Sequence, residues 1–273
     1  IWTLIMAIVG ARLYYVAFEW DYFSSRPLEI ITGIRNGGLA IYGGIIASVL
    51  TLFIFTKVKK LKFWQMADTA VLGLVLGQVV GRWGNFFNRE AFGGYTDWIF
   101  AMQIPADEAN GVTKDLLLNS YVYKGATYIQ VHPTFLYEGV WNLALFTGLV
   151  FYRKHKKFHG EIFALYLVGY GIGRTWIEQL RTDQLHIPGT SIAVSQVFSV
   201  FLVVAATAFI IFMRFRIRNK PELAYDEAAE KSKTSIYEEL IEEDAQDEDG
   251  QDEDDQNEDE SVDETEHGDM DEN

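Results

Sequence analysis

The chain has 273 residues, 49% of them hydrophobic and 15% aromatic, with no cysteine and a formal net charge of −15. A disulfide framework and a cysteine zinc site are excluded, and five scattered histidines fit a histidine zinc site poorly. The acidic total averages two unlike parts: residues 1–220 carry 21 Lys and Arg against 13 Asp and Glu, a balance of +8, whereas residues 221–273 carry 2 against 25, a balance of −23.

The chain opens at Ile1 inside an apolar run to Val9, with no basic region before it and no small-residue cleavage pattern. That is not a signal peptide, and it reads as a chain that has lost its true N-terminus. A helix needs roughly 20 mostly apolar residues to cross a bilayer. The stretches 1–18, 38–56, 67–86, 134–152, 161–179 and 192–213 are predicted as six such spans, which describes an all-α polytopic membrane protein. A soluble helical bundle is the alternative. Gly43–Thr56 and Ser191–Met213 are too uniformly apolar for it.

Basic clusters then orient the spans. Lys57, Lys59, Lys60 and Lys62 follow the second stretch, Arg153, Lys154, Lys156 and Lys157 the fourth, and Arg214, Arg216, Arg218 and Lys220 the sixth. With alternating spans all three clusters fall on one side, which the positive-inside rule makes cytoplasmic. The 19–37, 87–133 and 179–191 connections are then external. Within the longest of them, Phe100–Ile104 and Thr127–Val131 read as short strands, so a small external cap is expected. After Pro221, Tyr225–Glu243 suits a short amphipathic helix, and Asp244–Asn273 is too polar to bury a core. The expected organisation is a membrane domain over 1–220 and a disordered acidic cytoplasmic tail over 221–273.

The densest chemistry follows the nearly uncharged run Thr69–Val80. Arg82, Asn85, Asn88, Arg89 and Glu90 fall within nine residues there. An ionisable group at a membrane face costs on the order of several kcal/mol unless it pairs, lines a wet cavity or meets a charged ligand. Arginine offers a planar fork of donors suited to phosphate, while Asn and Glu hold that fork or bond a polyol. Gly84 and Gly93 are expected to be structural, letting backbone approach backbone or ligand closely. An Arg–Glu pair that merely finishes a helix is the structural alternative.

Other spans carry Arg12, Glu138, Arg174 and Glu178, with Arg181 just beyond. Arg174, Glu178 and Arg181 are spaced i, i+4, i+7 and share a helix face. His132-Pro133-Thr134-Phe135-Leu136-Tyr137-Glu138 enters its span from the same side. A lattice of ion pairs locking helices together is one reading. The arginines outnumber the nearby acids, however, which predicts cation left over for an anionic ligand. Asn36–Gly44 places Tyr42 between two glycine pairs. Close helix packing with an interfacial tyrosine explains this segment alone. Beside an arginine cluster Tyr42 becomes an acid/base candidate, since cations lower the pKa of a phenol.

Gly81-Arg82-x-Gly84-Asn85-Phe86-x-Asn88-x-Glu90-x-x-Gly93 resembles the signature of the bacterial prolipoprotein diacylglyceryl transferases. Supporting it, in the right order, are Arg12, Gly37-Gly38…Tyr42-Gly43-Gly44, His132-Pro133-x-x-x-Tyr137-Glu138 and Gly169-Tyr170-Gly171-x-x-Arg174-x-x-x-Glu178-x-x-Arg181. The resemblance covers residues 1 to about 213 and stops before the acidic tail. It implies seven membrane helices with an external N-terminus, one of them ahead of Ile1. It also implies transfer of the diacylglyceryl group of phosphatidylglycerol to the thiol of a lipobox cysteine in a preprolipoprotein, releasing glycerol 1-phosphate. The nucleophile is the substrate's, which suits a chain without cysteine.

By position the resemblance makes Arg82, with Arg174 and Arg181, the phosphatidylglycerol-binding set. It makes Tyr42, Asn85, Glu90, Arg174 and Glu178 the catalytic set. Tyr42 stands where some members have His and others Tyr. The implied partners are phosphatidylglycerol, lipobox peptides and the lipid bilayer of the bacterial cell membrane; no metal, cofactor or nucleic acid is indicated. A transporter or channel for an anionic solute is the alternative. Against it, the charges gather near one leaflet and no inverted repeat is visible.

Overall fold

A backbone inside a bilayer has no water to bond, so long apolar runs satisfy their own N–H and C=O groups as helices. The computed structural model describes residues 1–184, 186–187, 189–190 and 192–226, with the backbone alone at 35 and 36. Its helices are α1 Trp2–Phe18, the short α2 Trp20–Phe23 and α3 Glu29–Thr32, α4 Ile41–Val58, α5 Phe63–Asn88, α6 Lys114–Leu118, α7 Thr134–Tyr152, α8 Glu161–Glu178 and α9 Val194–Asn219. Every predicted span is therefore a helix. Ile1–Leu223 forms one compact unit. The expected acidic tail lies outside the described residues from 227 onward, as does most of the amphipathic stretch at its start.

Among the described residues four helices, rather than six, are long and apolar enough to cross a membrane: Ile41–Val58, Phe63–Asn88, Thr134–His155 and Val194–Asn219. The two others have visible reasons to fall short. α1 has 17 residues, and α8 carries Glu161, Arg174 and Glu178 within its 18. Along α4 and α9 large apolar side chains such as Ile45, Ile46, Val49, Phe201, Val204 and Ile211 stand exposed. A contiguous surface of that kind calls for an apolar solvent. The chain is a membrane protein.

In such a solvent helices associate through close packing and internal polar contacts. α1 and α4 cross at Gly10 and Gly43, where a Cβ on Gly10 would lie 2.7 Å from the Gly43 carbonyl oxygen. At the end of the same pair, the buried Arg12 donates to the carbonyls of Glu29 (2.7 Å), Ile30 (2.9 Å), Gly37 (3.0 Å) and Gly38 (3.0 Å). Its guanidinium also lies 5.1 Å from the Phe23 ring centre. Arg12 thus ties down the 29–38 connection with its own donors. It does not join the other arginines.

α5, α7, α8 and α9 form the rest of the bundle, closed at one end by two buried carboxylates. Asp68 of α5 accepts from the Gly160 amide (2.9 Å) and the Phe163 amide (3.0 Å), so one helix caps the start of another. Gly160 makes this possible: its φ is +95°, and a Cβ would press on the Trp64 ring at 2.9 Å. Glu161, fully buried, takes Arg214 of α9 at 2.6 Å and Tyr152 of α7 at 3.1 Å. From Asp68 to Arg82 is fourteen residues of α5, about 21 Å at 1.5 Å per residue. The two ends of the bundle therefore carry separate polar layers.

Between α5 and α7 lies a small antiparallel sheet of β1 Met102–Pro105, β2 Tyr121–Tyr123 and β3 Ala126–Val131, in the order β1-β3-β2. β1 and β3 are the expected strands. β2 was not expected: it is three exposed residues, joined to β3 by Lys124 and Gly125 at φ 50° and 83°, a two-residue hairpin connection. Phe92, Ile104, Leu116, Ile129 and Val131 make the core of this layer.

Candidate functional site

The site forms where α5 ends. Arg89 adopts a left-handed conformation (φ 51°), which turns the chain back so that the Glu90 amide meets the Asn85 carbonyl at 3.1 Å. The Glu90 carboxylate then accepts from Asn85 (3.2 Å) and Asn88 (3.1 Å). Asn85 in turn accepts from Arg82 at 3.3 Å. The motif closes on itself as a chain from Arg82 through Asn85 to Glu90. Arg89 points elsewhere, pairing with Glu108 at 2.6 Å.

Glu138, at the start of α7, is the hub. One of its oxygens meets Arg82 at 2.6 Å; the other meets Arg174 at 3.3 Å and Arg181 at 3.7 Å. Arg174 also reaches Glu178, one turn along α8, at 2.7 Å. The Glu138 side chain is only 5% exposed, against 21%, 18% and 12% for Arg82, Arg174 and Arg181. A ligand approaching from outside therefore meets arginines before the carboxylate. Glu138 was visible in the sequence as a charge in a span. Its partners were not.

The expected surplus of cation does not survive the geometry. Arg181 forks onto Asp183 through two bonds of 2.8 and 2.6 Å, and this holds the Asp183 carboxyl below the usual carboxylate range. Glu138, Glu178 and Asp183 match the three arginines, and Glu90 adds a fourth carboxylate held by Asn85 and Asn88. Asp183, two residues after Arg181, was the overlooked signal. What remains available is directional: each guanidinium has five N–H donors, and Arg82 and Arg174 each show two partners among the described residues.

The structure brings together Arg82, Asn85, Glu90, Arg174, Glu178 and Arg181. Tyr42 is not among them. It is 61% exposed at the first turn of α4, with no hydrogen bond or ring contact to this cluster among the described residues.

Gly93 sits at a joint of three segments. Its amide donates to the His132 carbonyl at 3.0 Å, it pairs with Arg181 across an antiparallel bridge, and the neighbouring Gly94 amide reaches the Leu180 carbonyl at 3.0 Å. A Cβ there would lie 2.7 Å from both the His132 Cβ and the Leu180 oxygen. Gly93→Ala is therefore expected to cost about 1–3 kcal/mol by overpacking and to lower activity by displacing Arg181; thermal unfolding and turnover measure the two effects. Gly84 differs, since a Cβ there meets open space and no packing among the described residues demands a glycine. Beside the joint, His132 Nδ1 lies 3.1 Å from the Tyr137 hydroxyl, and burial lowers the His132 pKa.

Fold and site together define a helical membrane protein with a guanidinium–carboxylate cluster at one end of its bundle. The family described as Prolipoprotein diacylglyceryl transferase matches residues 1–212. Proteins named phosphatidylglycerol–prolipoprotein diacylglyceryl transferase are similar to it. The one from Bacillus cytotoxicus is 44% identical over 211 residues, covering 77% of this chain and 73% of the relative. That from Oceanobacillus iheyensis is 41% identical over 209 residues (77% and 70%), and that from Synechocystis 42% over 228 (81% and 75%). The chain belongs to the prolipoprotein diacylglyceryl transferase family.

Proposed function

We propose that this membrane enzyme transfers the diacylglyceryl group of phosphatidylglycerol to the thiol of a lipobox cysteine in a preprolipoprotein, releasing glycerol 1-phosphate. The observation that carries this reading is the convergence of Arg82, Arg174 and Arg181 on Glu138, inside a family match over residues 1–212. The transport alternative finds no support in these relatives.

In this reading the Arg82 and Arg174 forks bind the phosphoglycerol head group and stabilise charge on the departing phosphate, with Arg181 beside them. The sulfur attacks the terminal glyceryl carbon, a C–S bond forms, and the C–O bond to phosphate breaks. Asn85 and Glu90 hold the Arg82 fork in place. Glu178 does the same for Arg174. Tyr42 is the acid/base candidate of the sequence; among the described residues it shows no bond to Arg82, Arg174 or Arg181.

The cluster faces the external leaflet of the bacterial cell membrane in this reading, with the three basic clusters cytoplasmic. α1 and α8 complete six spans, and a seventh precedes them in the intact family member. The sheet is an external cap, residues 1–220 are the transferase domain, and 221–273 a cytoplasmic tail.

The test is glycerol phosphate release from phosphatidylglycerol vesicles by the full-length protein and a lipobox peptide. Release that requires the peptide cysteine is expected. Release that is equal with a Cys-to-Ser peptide, or absent altogether from folded protein, sinks the reading.

A further inference from the structure

We propose that His132 accepts the proton of the incoming cysteine thiol, with Tyr137 fixing its imidazole ring. The proposal rests on the transferase function and names the group that starts it. A thiol of ordinary pKa, about 8.5, is mostly protonated at neutral pH, so the reaction needs an acceptor close to the arginines.

The other candidates around the site are held by partners or, for Tyr42, show no bond to the cluster among the described residues. Arginine is not a base. Glu138 and Glu178 are tied to Arg82, Arg174 and Arg181, and Glu90 accepts from two asparagines. Tyr42 stands exposed on α4.

His132, by contrast, is built into the joint that carries Arg181. Its amide donates to the Gly94 carbonyl at 3.0 Å and its carbonyl accepts from the Gly93 amide at 3.0 Å. The same two glycines bond Leu180 and bridge to Arg181 on their other side. Glu138, the hub of the cluster, follows six residues later in the first turns of α7. The imidazole is held as well. Its Nδ1 lies 3.1 Å from the Tyr137 oxygen, and the Tyr137 ring is flanked by Trp98 and Trp176 at 6.1 and 6.4 Å between centres. With Nδ1–H donating to that oxygen, the neutral ring presents the lone pair of Nε2.

The step balances. The thiol proton passes to Nε2, the sulfur takes the glyceryl carbon, and the C–O electron pair leaves on the phosphate oxygen. The imidazolium then returns its proton to the leaving phosphate or to water. Burial sets the sign of the pH dependence: it lowers the His132 pKa from 6.5, so the ring is neutral and competent at pH 7. Turnover should fall as pH drops through a value under 6.5 and the ring protonates in advance. The ionisable groups on the elements packed against it are Tyr137 and Glu138 on α7, Arg181 and Asp183 after α8, and Glu90 and Tyr95 on either side of the Gly93–Gly94 turn.

The experiment measures kcat, KM for phosphatidylglycerol and the pH profile of full-length wild type, His132→Gln, Tyr137→Phe and Tyr42→Phe in phosphatidylglycerol vesicles. His132→Gln is expected to lower kcat about 100-fold or more, to leave KM within about twofold, and to lose the acid limb. A rate within about twofold of wild type with the limb intact overturns the proposal. So does a limb that vanishes in Tyr42→Phe while His132→Gln keeps it. Should His132→Gln fail to fold, wild type decides: a rate flat from about pH 5 to 7 excludes a histidine base. Wild type without cysteine-dependent release instead removes the transferase function itself, an arm in which His132 plays no part.

Discussion

Glu138→Ala is expected to destabilise the protein by about 3–5 kcal/mol and to abolish turnover. The side chain is 5% exposed and receives arginines from α5, from α8 and from the segment after α8. Removing it leaves three guanidinium groups facing one another with Glu178 and Asp183 as their remaining carboxylates. Breaking a buried ion pair from one side costs far more than the pair contributes, because the orphaned charge stays desolvated. Glu138→Gln keeps the shape and one acceptor oxygen, so its loss should be smaller. Thermal unfolding in detergent reads the difference. Glu138→Ala combined with Arg174→Ala should recover part of the stability lost in the single variant, since it removes one of the stranded charges. A double variant no better than the sum of its parts would show that the hub is not electrostatic.

Arg82→Ala is expected to act differently. Glu138 keeps Arg174 and Arg181 after the change, so the fold should lose less than in Glu138→Ala. Turnover should fall by about 10²–10³, the effect of removing one donor from a charge-stabilising site. Arg82→Lys should not restore it. The guanidinium spans two partners at once, Glu138 at 2.6 Å and Asn85 at 3.3 Å, and an ammonium lacks the fork that holds both. Steady-state glycerol phosphate release, with the unfolding midpoint measured in parallel, separates lost chemistry from lost structure. A variant that unfolds as easily as Glu138→Ala would assign Arg82 to the scaffold instead.

The balance of charge matters for how an anionic lipid is held. A cluster with spare positive charge would attract any anion. This one is closer to neutral, with Asp183 on Arg181 and Glu178 on Arg174. Pairing of its arginines with carboxylates lowers the cost of holding the cluster in a poorly hydrated place. Selectivity then rests on the direction of the donors and not on net charge.

The sequence by itself determined where the helices lie and which residue types carry the chemistry. Both are local properties. An apolar run such as Val194–Met213 must be helical wherever it meets lipid, and charges such as Arg82 or Arg174 within such runs stand out because the bilayer penalises them. The Gly81–Gly93 motif was legible for the same reason: its turn at Arg89 and its Asn85–Glu90 bond are closed within a few residues.

Partnership was decided only by the tertiary structure. Arg12 and Arg82 look alike as lone arginines in apolar stretches, yet one is spent on four carbonyls of the 29–38 connection and the other on Glu138. Arg174 and Glu138 are 36 residues apart in the chain, and nothing in either stretch announces the other. Tyr42 shared a plausible motif with the cluster but sits on α4, whose packing is mainly with α1 across Gly10 and Gly43. At Gly93 the close approach of His132 and Leu180 leaves no room for a Cβ, whereas among the described residues nothing crowds Gly84. Bilayer cost acts on each residue where it stands and is written along the chain. Charge pairing depends on which helix ends meet, and that is fixed by the packing of the whole bundle.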